Sequence, residues 1–340
     1  MKAAFSNSGA TEPQTSGGLR RFWRIAWWIA KIVGSILVVY FVVKAIQKGQ
    51  ADIAAQDFDV WSIRWPWLIL ASISYLLGMI PMGLNWHRLL YAMQQHVPVW
   101  DGVRTHFISQ LGKYVPGKAC VPAIRFALLE KYSLDPPTAF VSMAAETLTM
   151  MSVGSVVGGV VVAFAFWSKP QIALLAATFA VVAGLPVIPP VLRFAVNLLQ
   201  RRKARKTGLE PVDVSGTLTW SVLIPGWLGV VPGWLLLGVS MWSCMKALGL
   251  PETNAMTLAD LPWVTASYAI SVVAGFASMI PGGFGVRELV ISELITPKYG
   301  ATVGLLSAVV HRMTSLMSEL VVSGILYISH LRWSSTSADR

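Results

Sequence analysis

The sequence is poor in charge, in cysteine and in the short motifs of soluble enzymes. Only 13% of its 340 residues are charged, whereas soluble domains average roughly a quarter, and 55% are hydrophobic. The two cysteines, Cys120 and Cys244, have no metal-binding or redox spacing. Acidic residues are few and scattered in the apolar stretches, and no His-Glu-x-x-His or Gly-x-Ser-x-Gly sequence occurs. We therefore expect a membrane protein that is not an enzyme and that needs no cofactor or metal.

The surplus of positive charge, +11 in total, is distributed in a way that indicates lipid headgroups as partners. Basic residues cluster beside apolar stretches, in residues 20–31 and 193–206. Such clusters orient a membrane protein and attract anionic lipids. They place the N-terminus and the loop 193–206 in the cytoplasm, and we expect no binding of nucleic acid.

Apolar stretches of the length needed to cross a bilayer recur along the chain. A crossing needs about 20 residues, and we expect an all-α polytopic membrane protein with about 7–8 transmembrane helices. Residues 218–248 are long for one crossing and short for two, so one broken helix and a hairpin of two short helices both fit. The other predicted spans are residues 25–46, 67–84, 137–167, 172–192, 261–280 and 301–328.

The chain has room for a single membrane domain. We assign residues 21–332 to it, with a first half at about 65–192 and a second half at about 218–331. Residues 1–20, rich in Ser, Gly and Thr, are predicted to be a disordered cytoplasmic tail, and residues 333–340 are a second tail.

A Pro-Gly break, Pro116 and Gly117, follows a predicted helix that is too short to cross a bilayer. Irregular backbone survives in hydrocarbon only where protein or water satisfies its polar groups. We therefore predict a re-entrant helix pair with this break at its tip, and an amphipathic surface helix with a Pro-Gly turn is the alternative. The basic residues around the tip either capture lipid headgroups or anchor the chain at the interface: Lys113, Lys118 and Arg125.

A second, glycine-rich break follows the uncharged residues 261–280, and an Arg-Glu pair comes directly after it. Ionisable groups at this depth are costly and by default suggest function. The guanidinium of Arg287 presents a planar fork to phosphate oxygens, and backbone amides at the start of a helix favour anions. The alternative is a structural pair between Arg287 and either Glu288 or Glu146. The backbone residues of this motif are Pro281, Gly282, Gly283 and Gly285.

The two breaks lie 165 positions apart, and so do Glu146 and His311. Broken segments in matching places of two halves point to a transporter's midplane site. We predict an inverted repeat in which the first break opens from the cytoplasm and the second from outside. As argued from the sequence, this arrangement requires residues 218–248 to form a hairpin, and it places the C-terminus in the cytoplasm.

Further ionisable residues lie deep in the long predicted spans. Glu146 and Arg312 are expected to meet across the repeat axis. His311, beside Arg312, is either a proton site or a hydrogen-bonded packing residue. Glu319 is expected to form a helix-to-helix hydrogen bond.

Two segments resemble signature motifs of a known family. Residues 112–118 (Gly-Lys-Tyr-Val-Pro-Gly-Lys) with Arg125, and residues 280–288 (Ile-Pro-Gly-Gly-Phe-Gly-Val-Arg-Glu), look like the motifs of the lysylphosphatidylglycerol synthase transmembrane-region family, also called flippase-like domain proteins. The resemblance covers roughly residues 23–331. It implies movement of a lipid between leaflets, in the inner membrane of a bacterium.

The resemblance also bears on individual residues. Glu146 matches the glutamate of a Glu-Arg pair in the family, but Thr147 stands where the family usually has the arginine. Arg312 matches an arginine on the last long helix. Members that make lysyl lipids carry a soluble aminoacyl-transfer domain after the membrane part, so we expect no such synthesis from this chain.

These observations predict a flippase for an anionic or aminoacylated phospholipid or for a polyprenyl-linked lipid. A membrane glycosyl or lipid transferase component is one alternative, and a non-transporting scaffold that recruits partners through its basic loops is another. A homo-oligomer, or an association with a lipid-modifying enzyme, is compatible with each of these. The residues predicted to bind the headgroup are Lys113, Lys118, Arg125, Glu146, Arg287, Glu288 and Arg312.

Overall fold

The computed structural model describes residues 60–114, 120–207, 216–278 and 280–338, and the regular structure in these ranges is entirely helical. The prediction of an all-α polytopic membrane protein is confirmed. The predicted first span, 25–46, and the predicted tail 1–20 lie outside the described residues, as do residues 339 and 340; residues 333–338, predicted as part of a tail, continue the last helix. The main helices are α1 (Trp65–Ala92), α2 (Val99–Gln110), α3 (Cys120–Leu128), α4 (Pro136–Ala165), α5 (Pro170–Gly184), α6 (Pro189–Thr207), α7 (Trp220–Ala247), α8 (Leu261–Ala277), α9 (Val286–Tyr299) and α10 (Ala301–Ala338).

Within this described part, six helical segments are long and apolar enough to cross a membrane. They correspond to the predicted spans, with ends that differ by several residues. The six segments are Trp65–Ala92, Pro136–Ala165, Pro170–Val187, Trp220–Ala247, Leu258–Ala277 and Ala301–Ser329.

Proline fixes where several of these helices begin. Pro136, Pro170 and Pro189 each occupy the first position of a helix. Proline is favoured there because its missing N–H would have no partner within the helix and its φ is already helical. Asp135 adds a cap to α4, since its carboxylate accepts a hydrogen bond from the Thr138 backbone N–H at 3.0 Å. Proline therefore marks the start of each of these three helices.

The basic stretch 193–206 is helical, and its prediction as a loop was wrong. It forms most of α6, which starts at Pro189 after a single 3-10 turn, Leu185–Val187. The predicted span 172–192 ends just after Pro189 and Pro190. In the structure they start a new helix, because the residues after them are mostly good helix formers such as Leu, Gln, Arg and Lys.

Residues 220–247 form one continuous helix, α7, so the hairpin alternative for this stretch was wrong. The helix passes through Pro225 and Pro232 and is about 42 Å long, enough for one tilted crossing. Close packing supports the proline-containing stretch. A Cβ at Gly233 would lie 2.8 Å from the Gly78 carbonyl oxygen, and one at Gly78 would lie 3.0 Å from the Gly233 carbonyl oxygen. Backbone packs on backbone between α1 and α7, as small residues permit in membranes.

Helices α2 and α3 form a hairpin, and Asp101 links its two ends on the side opposite the tip. Asp101, in the first turn of α2, contacts Lys131 at 3.2 Å and accepts a hydrogen bond from Tyr132, and both of these residues follow α3. Arg104 also contacts Asp101, at 2.6 Å. The chain therefore returns after α3 to the level at which α2 began. The described part of the hairpin tip ends with Lys113 and Tyr114. The break itself, with Pro116, Gly117 and Lys118, falls in residues 115–119, outside the described residues.

Helices α8 and α9 form a second hairpin with the same closure. Asp260, directly before α8, accepts hydrogen bonds from Lys298 at 2.5 Å and from Tyr299 at 2.8 Å, at the end of α9. The start of α8 and the end of α9 are thus side by side, and the glycine-rich break between them is the tip. An acid joined to a Lys-Tyr pair closes both hairpins, although the two sequences share few other identities.

Candidate functional site

The tip of the second hairpin has a backbone that glycine adopts with little strain. Gly282, Gly283 and Gly285 have φ angles of 60°, 66° and 80°, in the left-handed region. This conformation turns the chain from α8 into α9. Glu288 caps α9, because one of its carboxylate oxygens accepts the Gly285 backbone N–H at 2.7 Å. Glu288, predicted to bind the headgroup, therefore has a structural role at the tip.

Arg287 extends from this tip through a slot made by two glycines. A Cβ at Gly283 would lie 3.0 Å from the Cγ and Cδ of Arg287, and a Cβ at Gly275 would overlap the same stem. The guanidinium donates a hydrogen bond to the Tyr268 hydroxyl at 3.0 Å and lies 5.4 Å from the centre of that ring. Among the described residues it forms no ion pair with a carboxylate, so the predicted alternative of a pair with Glu288 or Glu146 was wrong.

Arg312 reaches the same tip from α10. Its Nη1 donates a hydrogen bond to the Gly282 carbonyl oxygen at 3.0 Å and lies 3.9 Å from Glu288. Its Nε and Nη2 are buried and make no hydrogen bond to any residue that the structure describes. Buried donors without a partner cost about 1–3 kcal/mol each. These two nitrogens are therefore available to an anionic ligand.

The two hairpin tips meet at Arg312. The guanidinium lies 4.1 Å from the Phe284 ring of the second tip and 5.1 Å from the Tyr114 ring of the first. The two rings are 6.3 Å apart between centres. Lys113, beside Tyr114, contacts Glu319 of α10 at 2.5 Å. Described residues of both hairpin tips therefore contact α10, Gly282 at Arg312 and Lys113 at Glu319, seven residues apart.

A small pocket lies between the second hairpin and α10. It has room for about one water molecule. Its wall includes both arginines of the site, so Arg287 and Arg312 lie together as predicted. The lining residues are Tyr268, Ser271, Arg287, Glu288, Ile291, Ala308, His311 and Arg312.

Glu146 pairs with Arg125, and the predicted contact between Glu146 and Arg312 was wrong. Both guanidinium Nη atoms of Arg125 bind the carboxylate, one of them at 3.1 Å, and His106 lies 3.0 Å from it. The error arose because the hairpin returns α3 against α4, a contact that no periodicity in the sequence reveals. Thr147, in the place of the family's arginine, instead bonds the Met143 carbonyl.

Arg125 is enclosed on its other sides as well. Its Nε donates to the Ser109 hydroxyl at 3.0 Å, and its guanidinium lies 3.9 Å from the Trp86 ring. Arg125 and Glu146 are 2% and 6% exposed as side chains. The guanidinium and the carboxylate are both buried and hydrogen-bonded, so this pair has a structural role. It leaves no space for a headgroup.

We expect Glu146→Gln to destabilise the protein. The change leaves the Arg125 charge buried without its counter-ion, and breaking such a pair costs about 3–5 kcal/mol. Thermal unfolding of the purified protein in detergent, followed by tryptophan fluorescence, measures the effect. Glu293→Gln is the matched control, because Glu293 is exposed on α9. Equal melting temperatures for the two variants would contradict a structural role for Glu146.

The arginines of the two hairpins lie on equivalent helices, three residues off the 165-residue spacing, and have different partners. Arg125 and Arg287 lie 162 positions apart, each on the returning helix of its hairpin. On the following long helix, Glu146 faces Arg125, and the residue 165 positions later is His311, beside the pocket of Arg287. The first arginine is therefore bound directly by a carboxylate, whereas the second forms no ion pair with one among the described residues, although Glu288 lines the same pocket.

His311 is buried, and it lines the pocket that Arg287 and Arg312 also line. Its Nε2 lies 3.3 Å from the Ser240 hydroxyl, and its ring centre lies 4.7 Å from that of Tyr268. These contacts are those of a packed, hydrogen-bonded residue, the alternative given for it from the sequence. A role in proton transfer stays a prediction.

Four aromatic residues of the site were missed by the sequence analysis. Tyr268 holds Arg287, while Tyr114 and Phe284 flank Arg312. Tyr75 donates a hydrogen bond to Glu319 from α1. A signal was available for Tyr268, because a tyrosine in the middle of an uncharged span needs a polar partner for its hydroxyl. Glu319 does form the helix-to-helix hydrogen bond that was predicted for it.

Comparison with known proteins identifies one family. A family model described as the lysylphosphatidylglycerol synthase TM region matches residues 28–323 of this chain. No curated protein matches the chain. The matched range includes both hairpins, the long helices that follow them and most of the remaining described structure.

Proposed function

Because the chain belongs to the lysylphosphatidylglycerol synthase transmembrane-region family, we propose that it moves an anionic lipid between the two leaflets of a membrane. The headgroup phosphate binds at the tip of the second hairpin beside Arg287 and Arg312, and the pocket between them, which has room for about one water molecule, must widen to admit it. The lipids expected from the sequence all carry phosphate: an anionic or aminoacylated phospholipid, or a polyprenyl-linked lipid. The observation that carries the proposal is that Arg287, although partly buried, forms no ion pair with a carboxylate among the described residues.

The comparison of the two halves supports this choice of arginine. Arg125 has Glu146 as a counter-ion, and its surroundings are closed. Arg287 has only the Tyr268 hydroxyl as a hydrogen-bond partner among the described residues, and it faces a pocket. Burying a charge without a counter-ion is costly. A phosphate placed beside Arg287 would supply the missing negative charge.

Arg312 supplies the second part of the site. Its Nε and Nη2 lack partners within the described structure, while Nη1 is held by the Gly282 carbonyl. Phe284 packs on the face of the guanidinium and fixes its plane. An arginine held in this way presents a preorganised pair of donors, the geometry that suits phosphate oxygens.

A topology for transport follows from the hairpins and from α7. With the basic helix α6 in the cytoplasm, α7 crosses once, the α8–α9 hairpin enters the membrane from outside, and α10 crosses back. The α2–α3 hairpin enters from the cytoplasm. The inverted repeat and a cytoplasmic C-terminus then need no hairpin in residues 218–248. We place the protein in a bacterial inner membrane, with the headgroup passing between the tips and the acyl chains remaining in lipid.

Reconstitution into liposomes tests the proposed function. The vesicles contain a fluorescent phosphatidylglycerol, and an impermeant reductant bleaches only the probe in the outer leaflet. Transport makes the inner-leaflet probe accessible, so the bleached fraction rises beyond that of protein-free vesicles. A bleached fraction equal to the protein-free level, with phosphatidylglycerol and with a polyprenyl phosphate probe, would refute the proposal.

In this assay we expect Arg287→Lys to slow transport about tenfold. Lysine keeps the positive charge but loses the planar fork, and a hydrogen bond to a charged group contributes about 1.5–3 kcal/mol. Arg201→Lys is the matched control, because Arg201 is exposed on α6. If Arg201→Lys impairs function and Arg287→Lys does not, a scaffold that acts through its basic helix explains the protein better.

A further inference from the structure

Lys113 and Glu319 form an ion pair that joins the first hairpin tip to α10. The Lys113 Nζ lies 2.5 Å from Glu319 Oε1, and the Tyr75 hydroxyl donates to the same oxygen. The other carboxylate oxygen, Oε2, is buried and accepts no hydrogen bond from the residues that the structure describes. A carboxylate has about four acceptor positions. The pair is therefore incompletely satisfied.

This pair differs from the Arg125–Glu146 pair in two respects. Both oxygens of Glu146 are bound by Arg125, whereas Lys113 and Tyr75 share one oxygen of Glu319 and the Tyr114 hydroxyl also lies close to this carboxylate. The side chain of Lys113 is 25% exposed, whereas that of Arg125 is 2% exposed. An incoming anion can therefore reach Lys113 without unfolding the surrounding helices, which is not so for Arg125.

The three cations near the tips follow one another from one hairpin to the other. Arg287 belongs to the second hairpin, and Arg312 lies between the rings of both tips. Lys113 immediately precedes Tyr114, one of those rings, in the first hairpin. The three cations therefore lie along the junction between the two hairpins.

We infer that Lys113 is a second binding station for the headgroup phosphate and that Glu319 is an internal anion occupying this station when the headgroup is absent. The inference rests on the proposed function. A phosphate that leaves Arg287 passes Arg312 and displaces Glu319 from Lys113. The hairpins enter the membrane from opposite sides in the proposed topology. This step therefore moves the headgroup from the hairpin that opens to the outside to the hairpin that opens to the cytoplasm, or the reverse.

The double variant Lys113→Met/Glu319→Gln tests the second station. It removes both charges together, so no buried charge is left without its partner. We expect a melting temperature close to that of the wild type and unchanged binding of a short-chain phosphatidylglycerol in detergent, since Arg287 and Arg312 are intact. Transport in liposomes should fall at least tenfold. Lys169→Met is the matched control, because Lys169 is exposed at the start of α5.

The single variant Glu319→Gln gives an independent measurement. It keeps Lys113 and removes the competing negative charge, so we expect short-chain phosphatidylglycerol to bind several-fold more tightly than to the wild type. Weaker binding in this variant, or wild-type transport in the double variant, would overturn the inference. A wild-type protein that binds the short-chain lipid but does not transport would instead refute the proposed function.

Discussion

Gly275→Ala is expected to abolish lipid transport in a protein that still folds. The new methyl group would overlap the Cγ of Arg287 and lie 3.0 Å from its Cδ. The tip cannot move aside easily, because Gly283, 3.3 Å from the new atom, is held at a φ of 66°. Arg287 must therefore leave its slot. A displacement of about 1 Å at a binding group can cost about 100-fold in rate, which is the loss expected in the liposome assay.

The control for this variant is another glycine inside a helix. Gly229, in α7, has no atom within 4 Å of an added Cβ. Gly229→Ala should transport at the wild-type rate and melt at the same temperature or slightly higher, because alanine favours the helix by about 1 kcal/mol. Wild-type transport by Gly275→Ala would mean that the position of Arg287 does not limit transport, and would contradict its role as the headgroup ligand.

Much of the fold could be predicted because it follows from length and hydropathy. A run of apolar residues longer than the bilayer core has few alternatives to a helix, so α1, α4 and α10 were predicted, although α1 and α10 continue 8 and 10 residues past their predicted ends at 84 and 328. Proline was the main source of error. It was taken as a stop before α6 and as a break in α7, yet it starts the first and is accommodated in the second by the close contact with α1.

The candidate site could be predicted only where neighbours in sequence are also neighbours in space. The tip glycines and Arg287 are one short segment, and the nearness of Arg312 was expected. The partner of Glu146 could not be predicted, because Arg125 reaches it only after α3 has folded back as half of a hairpin. Tertiary contacts of this kind are set by the direction in which a helix returns, and no pattern within the helix records that direction.

The 165-residue spacing between Glu146 and His311 gains a physical meaning only when the structure is added to the sequence. The sequence alone related Glu146 to His311 but gave no reason why one half has an acid and the other an imidazole. The structure places Arg125 next to Glu146 and places Arg287 and His311 around one pocket. Glu146 thus gives Arg125 a carboxylate partner, and His311 gives Arg287 none.

His311→Glu is accordingly expected to produce a stable protein that does not transport. The change gives the second half the carboxylate that the first half has at Glu146, and the new side chain lies beside the pocket of Arg287. Arg287 would then have an internal counter-ion, as Arg125 does. Close charge pairs couple by about 1.5–7 kcal/mol, so a loss of about 100-fold in headgroup binding and in transport is a moderate expectation. Binding of short-chain phosphatidylglycerol and the liposome assay measure the two effects.

His311→Gln is the control that separates charge from proton transfer. Glutamine keeps a polar contact to Ser240 and adds no charge beside Arg287, so transport should remain within about twofold of the wild type, a difference of about 0.4 kcal/mol. If both variants lose transport while both still bind the short-chain lipid, His311 acts as a proton site. If His311→Glu transports normally, the lack of a counter-ion at Arg287 is not what draws the headgroup to the second hairpin. If the lipid phosphate supplies the negative charge that Arg287 lacks, only His311→Glu should lose transport.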